Sequence, residues 1–316
     1  MSPKNRQEAS VKRPERFSPR YFRNIGATLL IGWVSINGAV KLAAPEDRQS
    51  ILNFNPLTLP TNIAAYFDNN GCSAESRAFG PAMAEPKIEL ANSAAYKKEL
   101  GPASSPSQAI GLLSEFTDKN YGFKTSSKLN ALNLNPAAAQ QFNAGIIGVF
   151  EQFSAMPNEL VNLANISGLS ISEESDRLGD ADNFDGAINL SLSALIDGSE
   201  KRVLAHEIGH LLDDKECGVR GKNRDKTFES LNSPGFKYGT SDQNEQKRNL
   251  ASFYAGASPA EDKAEIYSFL LTGAVSYESL RSFPEPVIKQ KFELLLSRLE
   301  NRLPGISNFL LSQRGV

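Results

Sequence analysis

An α+β fold, mainly helical with a small sheet, is what this sequence predicts, and three observations carry the expectation. From Asn135 to Met156, Phe142, Ile146, Val149, Phe150 and Phe153 fall on one face of a helix. In "AINLSL", Ile188, Leu190 and Leu192 alternate with Asn189, Ser191 and Ser193, the period of a half-buried strand. Just beyond, Leu204, Ile208 and Leu211 return to helical spacing, so this strand feeds a helix beginning near Ser199.

Along the chain, residues 1–24 hold seven Lys and Arg against Glu8 and Glu15, a charge of +5, although the whole chain of 316 residues carries -2. The remaining body is acidic, which argues against a nucleic-acid partner. Ile25 to Ala44 forms an apolar run broken only by Lys41, at the short end for a membrane span of about 20 residues. With a basic tail before it and no good cleavage site after it, the run reads as a signal anchor with residues 1–24 on the cytoplasmic side. A removed signal peptide, leaving the body secreted or periplasmic, is the alternative. Both place the body outside the cytosol, where Cys72 and Cys217, the only two cysteines, could pair or remain buried thiols.

Residues 45–106 are rich in Pro, Asn, Ala and Gly without sustained periodicity and read as a loop-rich extension or linker. Order is expected from Ser105, a helix cap followed by Pro106, so the main domain is assigned to residues 107–316. A short strand is expected in "NLANISGLSIS". The Asp-rich "GDADNFDG" reads as a turn, because Phe184 and Asp185 stand where a calcium loop of the EF-hand type needs an oxygen ligand and a glycine. Near the C-terminus Ile288, Phe292, Leu295 and Leu299 share one helix face, most simply a packing face.

The segment "VLAHEIGHLLDD" holds the only two histidines of the chain, His206 and His210. Four apart on a helix, they project from the same face about 6 Å from one another and can converge on one ion. Zinc accepts imidazole nitrogen, and three protein ligands leave a position open for water. Glu207 lies beside the pair, where it can take a proton from that water without ligating. Asp213 and Asp214 follow too closely on the same helix to wrap the ion and are expected to hold an imidazole N–H. The third ligand must come from elsewhere. The best segment runs from Phe253 to Gly273, with Ser258 as cap, Pro259 at the first helical position, and Glu261 and Glu265 four apart on one face. Glu261 also occupies the position from which a side chain can bond back to the cap. Spacing alone leaves Glu261 and Glu265 equivalent.

"HEIGHLLDD", followed about fifty residues later by Tyr254, Glu261 and Glu265, resembles the gluzincin metallopeptidases of the anthrax lethal factor and Pro-Pro endopeptidase family. The likeness covers about sixty-five residues, including Gly209 and the aspartate pair, and nothing before Ser105. It implies a zincin-like domain with one Zn2+ per chain held by His206, His210 and Glu261. Glu265 would be an outer partner of a ligand, and Tyr254 would steady the oxyanion. The function expected on this basis is endopeptidase hydrolysis of a protein substrate by metal-activated water. The substrate would pair along an edge strand formed by Ile188, Asn189, Leu190 and Ser191. The alternative is a zincin-fold binding module at the cell envelope without turnover.

Overall fold

The computed structural model describes residues 89–101, 104–129, 134–173, 177–182, 185–217 and 225–312, with only the helical backbone of 214–217. Residues 1–44, Cys72 and the side chain of Cys217 lie outside that set, and so do the anchor and the cysteine pairing. Among the described residues no helix is long and apolar enough to cross a membrane.

Capping side chains open the expected helices. Ser105 accepts from the Gln108 amide and Asn135 from the Ala138 amide, each with proline next, and they start α2 (Pro106–Tyr121) and α3 (Pro136–Ser154). Before them lies α1 (Ala94–Glu99), in the segment that reads as loop from sequence. Its Tyr96 meets Phe116 edge-on at 5.5 Å and stacks near Phe150 at 5.9 Å, so the packed core extends ahead of residue 107. Six residues with one aromatic anchor show no periodicity, and only the cluster they join makes them helical. Phe142, Ile146, Val149, Phe150 and Phe153 are all fully buried, as their spacing predicts.

After α4 (Asn158–Ala164) the chain builds most of a four-stranded sheet: β1 (Lys124–Ser127), β2 (Gly168–Ser172), β3 (Gly179–Asp182) and β4 (Ala187–Ser191), in the order β1-β2-β4-β3. β1 with β2 and β2 with β4 run parallel; β3 with β4 runs antiparallel. The expectation for the edge is therefore corrected. β4 is an inner strand, and β3, which covers it, begins in the Asp-rich segment that reads as a turn. A four-residue strand with two aspartates has no apolar alternation to betray it, and backbone pairing makes it. Asn183 and Phe184 lie outside the described residues.

Register puts Thr125, Leu169, Ile188 and Ala181 on one face of the sheet and Ser126, Ser170, Asn189 and Asp180 on the other. Ile188 and Leu190 are fully buried, whereas Ser170 donates to the Asn189 side chain at 2.9 Å. Ser191 ends β4 by accepting from the Ala194 amide, which starts α5 (Leu192–Asp197). Next come α6 (Glu200–Cys217), α7 (Lys226–Glu229), α8 (Gln243–Asn249), a 3-10 turn at Tyr254–Ala257, α9 (Pro259–Leu271), α10 (Tyr277–Arg281), α11 (Pro286–Arg302) and α12 (Ile306–Ser312). α11 buries Ile288, Phe292, Leu295 and Leu299 as a packing helix.

Candidate metal centre

Leu204, Ile208 and Leu211 turn one stripe of α6 into the core, and that rotation carries His206 and His210 together onto the neighbouring face. α9 packs across this face. Its first turn is fixed by Ser258, which accepts from the Glu261 amide, with Pro259 at the first position. The Glu261 carboxylate does not spend itself on the cap. Its Oε2 lies 3.0 Å from His206 Nε2 and 3.4 Å from His210 Nε2.

The two imidazole rings stand nearly perpendicular, with centroids 4.8 Å apart. One ligand atom from each of His206, His210 and Glu261 falls within 4.8 Å of the others. Tetrahedral zinc with bonds of 2.0–2.2 Å sets its ligand atoms about 3.3 Å apart, so 3.0 and 3.4 Å suit such an ion, and two nitrogens with one carboxylate suit its chemistry. These three residues could hold a metal ion.

Glu265 occupies the other side of His206. Its Oε1 accepts from His206 Nδ1 at 2.9 Å, and its Oε2 accepts from Arg202. The geometry thus separates two glutamates that spacing left equivalent. Burial alone would discharge this cluster, but its members hold each other's charge. Burial opposes a charged His206, yet the carboxylates of Glu261 and Glu265 raise it to about 9. Burial likewise opposes charge on Glu261, yet the two imidazoles hold it well below the usual carboxylate range. Glu265 is held at about 2 by His206 and Arg202 despite its burial.

Glu207 is 6% exposed, and burial pushes its carboxyl upward. It faces β3 at Gly179, where a Cβ would meet Glu207 Oε1 at 2.8 Å. Tyr254, on the 3-10 turn, is 39% exposed, with its ring 5.4 Å from the His206 ring. Burial, then the Glu261 carboxylate, raises its hydroxyl.

The chain matches no known protein-family model, no curated protein and no solved structure.

Other expected site residues are placed differently. Asp213 does not support an imidazole; it pairs with buried Lys263 of α9, which also lies 3.5 Å from Asp225. It sits nearly a turn beyond His210, so its carboxylate meets α9 rather than the histidines. Asp214 lies on α6, and its side chain is outside the described set. Ile188, Asn189, Leu190 and Ser191 belong to a strand paired on both sides, so no substrate can add to them at an edge.

Arg202, Gly179 and Ser252 escaped the sequence reading. Arg202, four residues before His206, shares its helix face and was open to discovery by that spacing. Gly179 leaves no local trace, because its close neighbours come from α6; Ser252 accepts from the nearby Ala255 amide in a turn that no periodicity marks.

Proposed function

We propose that this chain is a zinc-dependent endopeptidase of the zincin type, and the observation that supports it is the convergence of His206, His210 and Glu261 with Glu207 beside them. These three side chains would hold one zinc ion, which when bound polarises a peptide carbonyl and lowers the pKa of a water toward neutrality. Glu207 takes the proton from the attacking water as its oxygen joins the carbonyl carbon. It then passes that proton to the amine nitrogen as the C–N bond breaks. Negative charge gathers on the former carbonyl oxygen, and the Tyr254 hydroxyl donates to it from the open side of the site.

Substrate would add to the outer edge of β3, which pairs with no further strand among the described residues. Gly179 suits that role, since its missing side chain lets the strand approach Glu207. The anchor at residues 25–44 and an extracytoplasmic body belong to the same proposal.

The test is zinc content and cleavage of an unstructured protein by the full chain, with Glu207→Gln alongside. One zinc per chain in both, with cleavage by the wild type alone, is the expected result. Absence of zinc overturns the reading, and zinc without cleavage by the wild type moves it to the binding module.

A further inference from the structure

Glu261 and Glu265 are both four-atom-reach carboxylates on one face of α9, and both contact His206. Something must decide which of them faces the ion. Glu265 is 2% exposed, and each of its oxygens is engaged: Oε1 by His206 Nδ1 at 2.9 Å, Oε2 by Arg202. Ser252 helps to keep this carboxylate charged, and its Oγ accepts from the Ala255 amide at 3.1 Å. Glu265 therefore ties the glutamate helix to the histidine helix at two points.

Among the described residues, Arg202 is the one permanently charged cation on that carboxylate. It lies one helical turn before His206, so its guanidinium and the imidazole project from the same face. Phe269 supports it, with the ring centroid 5.8 Å from the guanidinium carbon. Arginine only donates. While it holds Oε2, Oε1 stays in place to accept the Nδ1 proton of His206. A proton on Nδ1 leaves the Nε2 lone pair on the side where Glu261 and His210 converge. Without Arg202, a buried carboxylate oxygen would lack this donor, and the carboxylate would be free to leave its line with Nδ1 and loosen the ring.

We infer that Arg202 is a positioning residue of the metal centre: through Glu265 it sets the orientation of His206, and so aims Nε2 at the point where Glu261 and His210 converge. This rests on the metal reading above. A plain ion pair at the helix surface would predict something else, namely that its loss leaves zinc affinity unchanged.

The experiment measures the zinc dissociation constant of the full chain by competition with a chromophoric chelator, for wild type, Arg202→Gln, Arg202→Lys, Glu265→Gln and Arg202→Gln/Glu265→Gln. The visible spectrum of the Co2+-loaded proteins is recorded as a readout of ligand geometry. Losing an outer partner of a metal ligand typically weakens binding 10–100-fold, so Arg202→Gln is expected to lose about tenfold or more and to shift the cobalt spectrum. Arg202→Lys keeps the charge and should lose less. In the Glu265→Gln background the same Arg202 change should alter affinity by less than about twofold, because the path runs through that carboxylate.

Wild-type affinity in both Arg202 variants overturns the inference, as does an equal loss with and without Glu265. If Arg202→Gln does not fold, Arg202→Lys carries the same comparison in both backgrounds. A wild-type chain that binds no zinc fails at the first measurement and removes the metal reading together with this inference. Zinc held equally by wild type and variants removes only the role of Arg202.

Discussion

Gly209 sits between the two histidines where α6 crosses α9, and replacing it with alanine sets two effects against each other. In a helix interior alanine is favoured over glycine by about 1 kcal/mol. Here, however, a Cβ would lie 2.8 Å from the Tyr267 Cβ, 3.1 Å from the Ala264 Cα and 3.2 Å from the Ala264 carbonyl oxygen. Carbon atoms pack at about 3.5–4.0 Å, so relief requires the helices to part by roughly 1 Å. Neither neighbour can yield alone, since the Ala264 atoms are backbone and Tyr267 is fully buried. Overpacking of this kind costs about 1–3 kcal/mol, which leaves a net loss of up to about 2 kcal/mol in the metal-free protein. The same opening carries Glu261 away from the imidazoles by more than the ~0.5 Å a preorganised site tolerates, so zinc affinity should fall about tenfold or more. Gly111 is the control: it is exposed on α2 with nothing within 4 Å of its would-be Cβ, and alanine there should stabilise by about 0.5–1 kcal/mol. Urea denaturation of the metal-free chains and chelator competition for zinc read both quantities. If Gly209→Ala stabilised as much as Gly111→Ala and kept wild-type zinc affinity, the close crossing would not be what aligns the ligands.

Gly179→Ala would bring a Cβ to 2.4 Å from Val203 Cγ1 and 2.8 Å from Glu207 Oε1. The Glu207 carboxylate can turn aside, whereas the β-branched Val203 is stiff, so the expected outcome is a folded but less stable protein that keeps its zinc and loses cleavage; full kcat would count against the placement of Glu207. Lys291 is fully buried and donates to the Asn249 carbonyl at 2.7 Å and to Asp262. Lys291→Met strands the Asp262 carboxylate and should cost about 3–5 kcal/mol in urea denaturation, most of which Lys291→Met/Asp262→Leu should recover. Burial would raise Asp225, but Arg298, bonded at 2.6 and 3.0 Å, and Lys263 bring it from 3.8 down to about 2. Because the folded value lies below the unfolded one, the roughly 2 kcal/mol it contributes is complete above about pH 4 and disappears as the pH falls toward 2. Asp225→Asn should flatten that stretch of the stability curve, and an unchanged curve would show that the pair does not act on folding.

Local chemistry alone located the principal helices and the inner strand. Caps such as Ser105 and Ser258 and the apolar stripes of α3, α6 and α11 act within a turn or two of themselves, so spacing reveals them. The histidine pair was legible for the same reason, since two residues four apart on a helix meet whatever surrounds them. α1 and β3 were not, because one is held by the aromatic cluster it joins and the other by backbone pairing to β4.

What the sequence determined by itself was the pair His206 and His210, Glu207 beside them, and a glutamate pair on a later helix to complete the set. Only the tertiary structure put Glu261 against both histidines and Glu265 behind His206, gave Asp213 to Lys263, and moved the sheet edge from β4 to β3. Each of those outcomes depends on which side chain or backbone group of a distant element lies within about 3 Å, and periodicity within a segment carries no information about that distance.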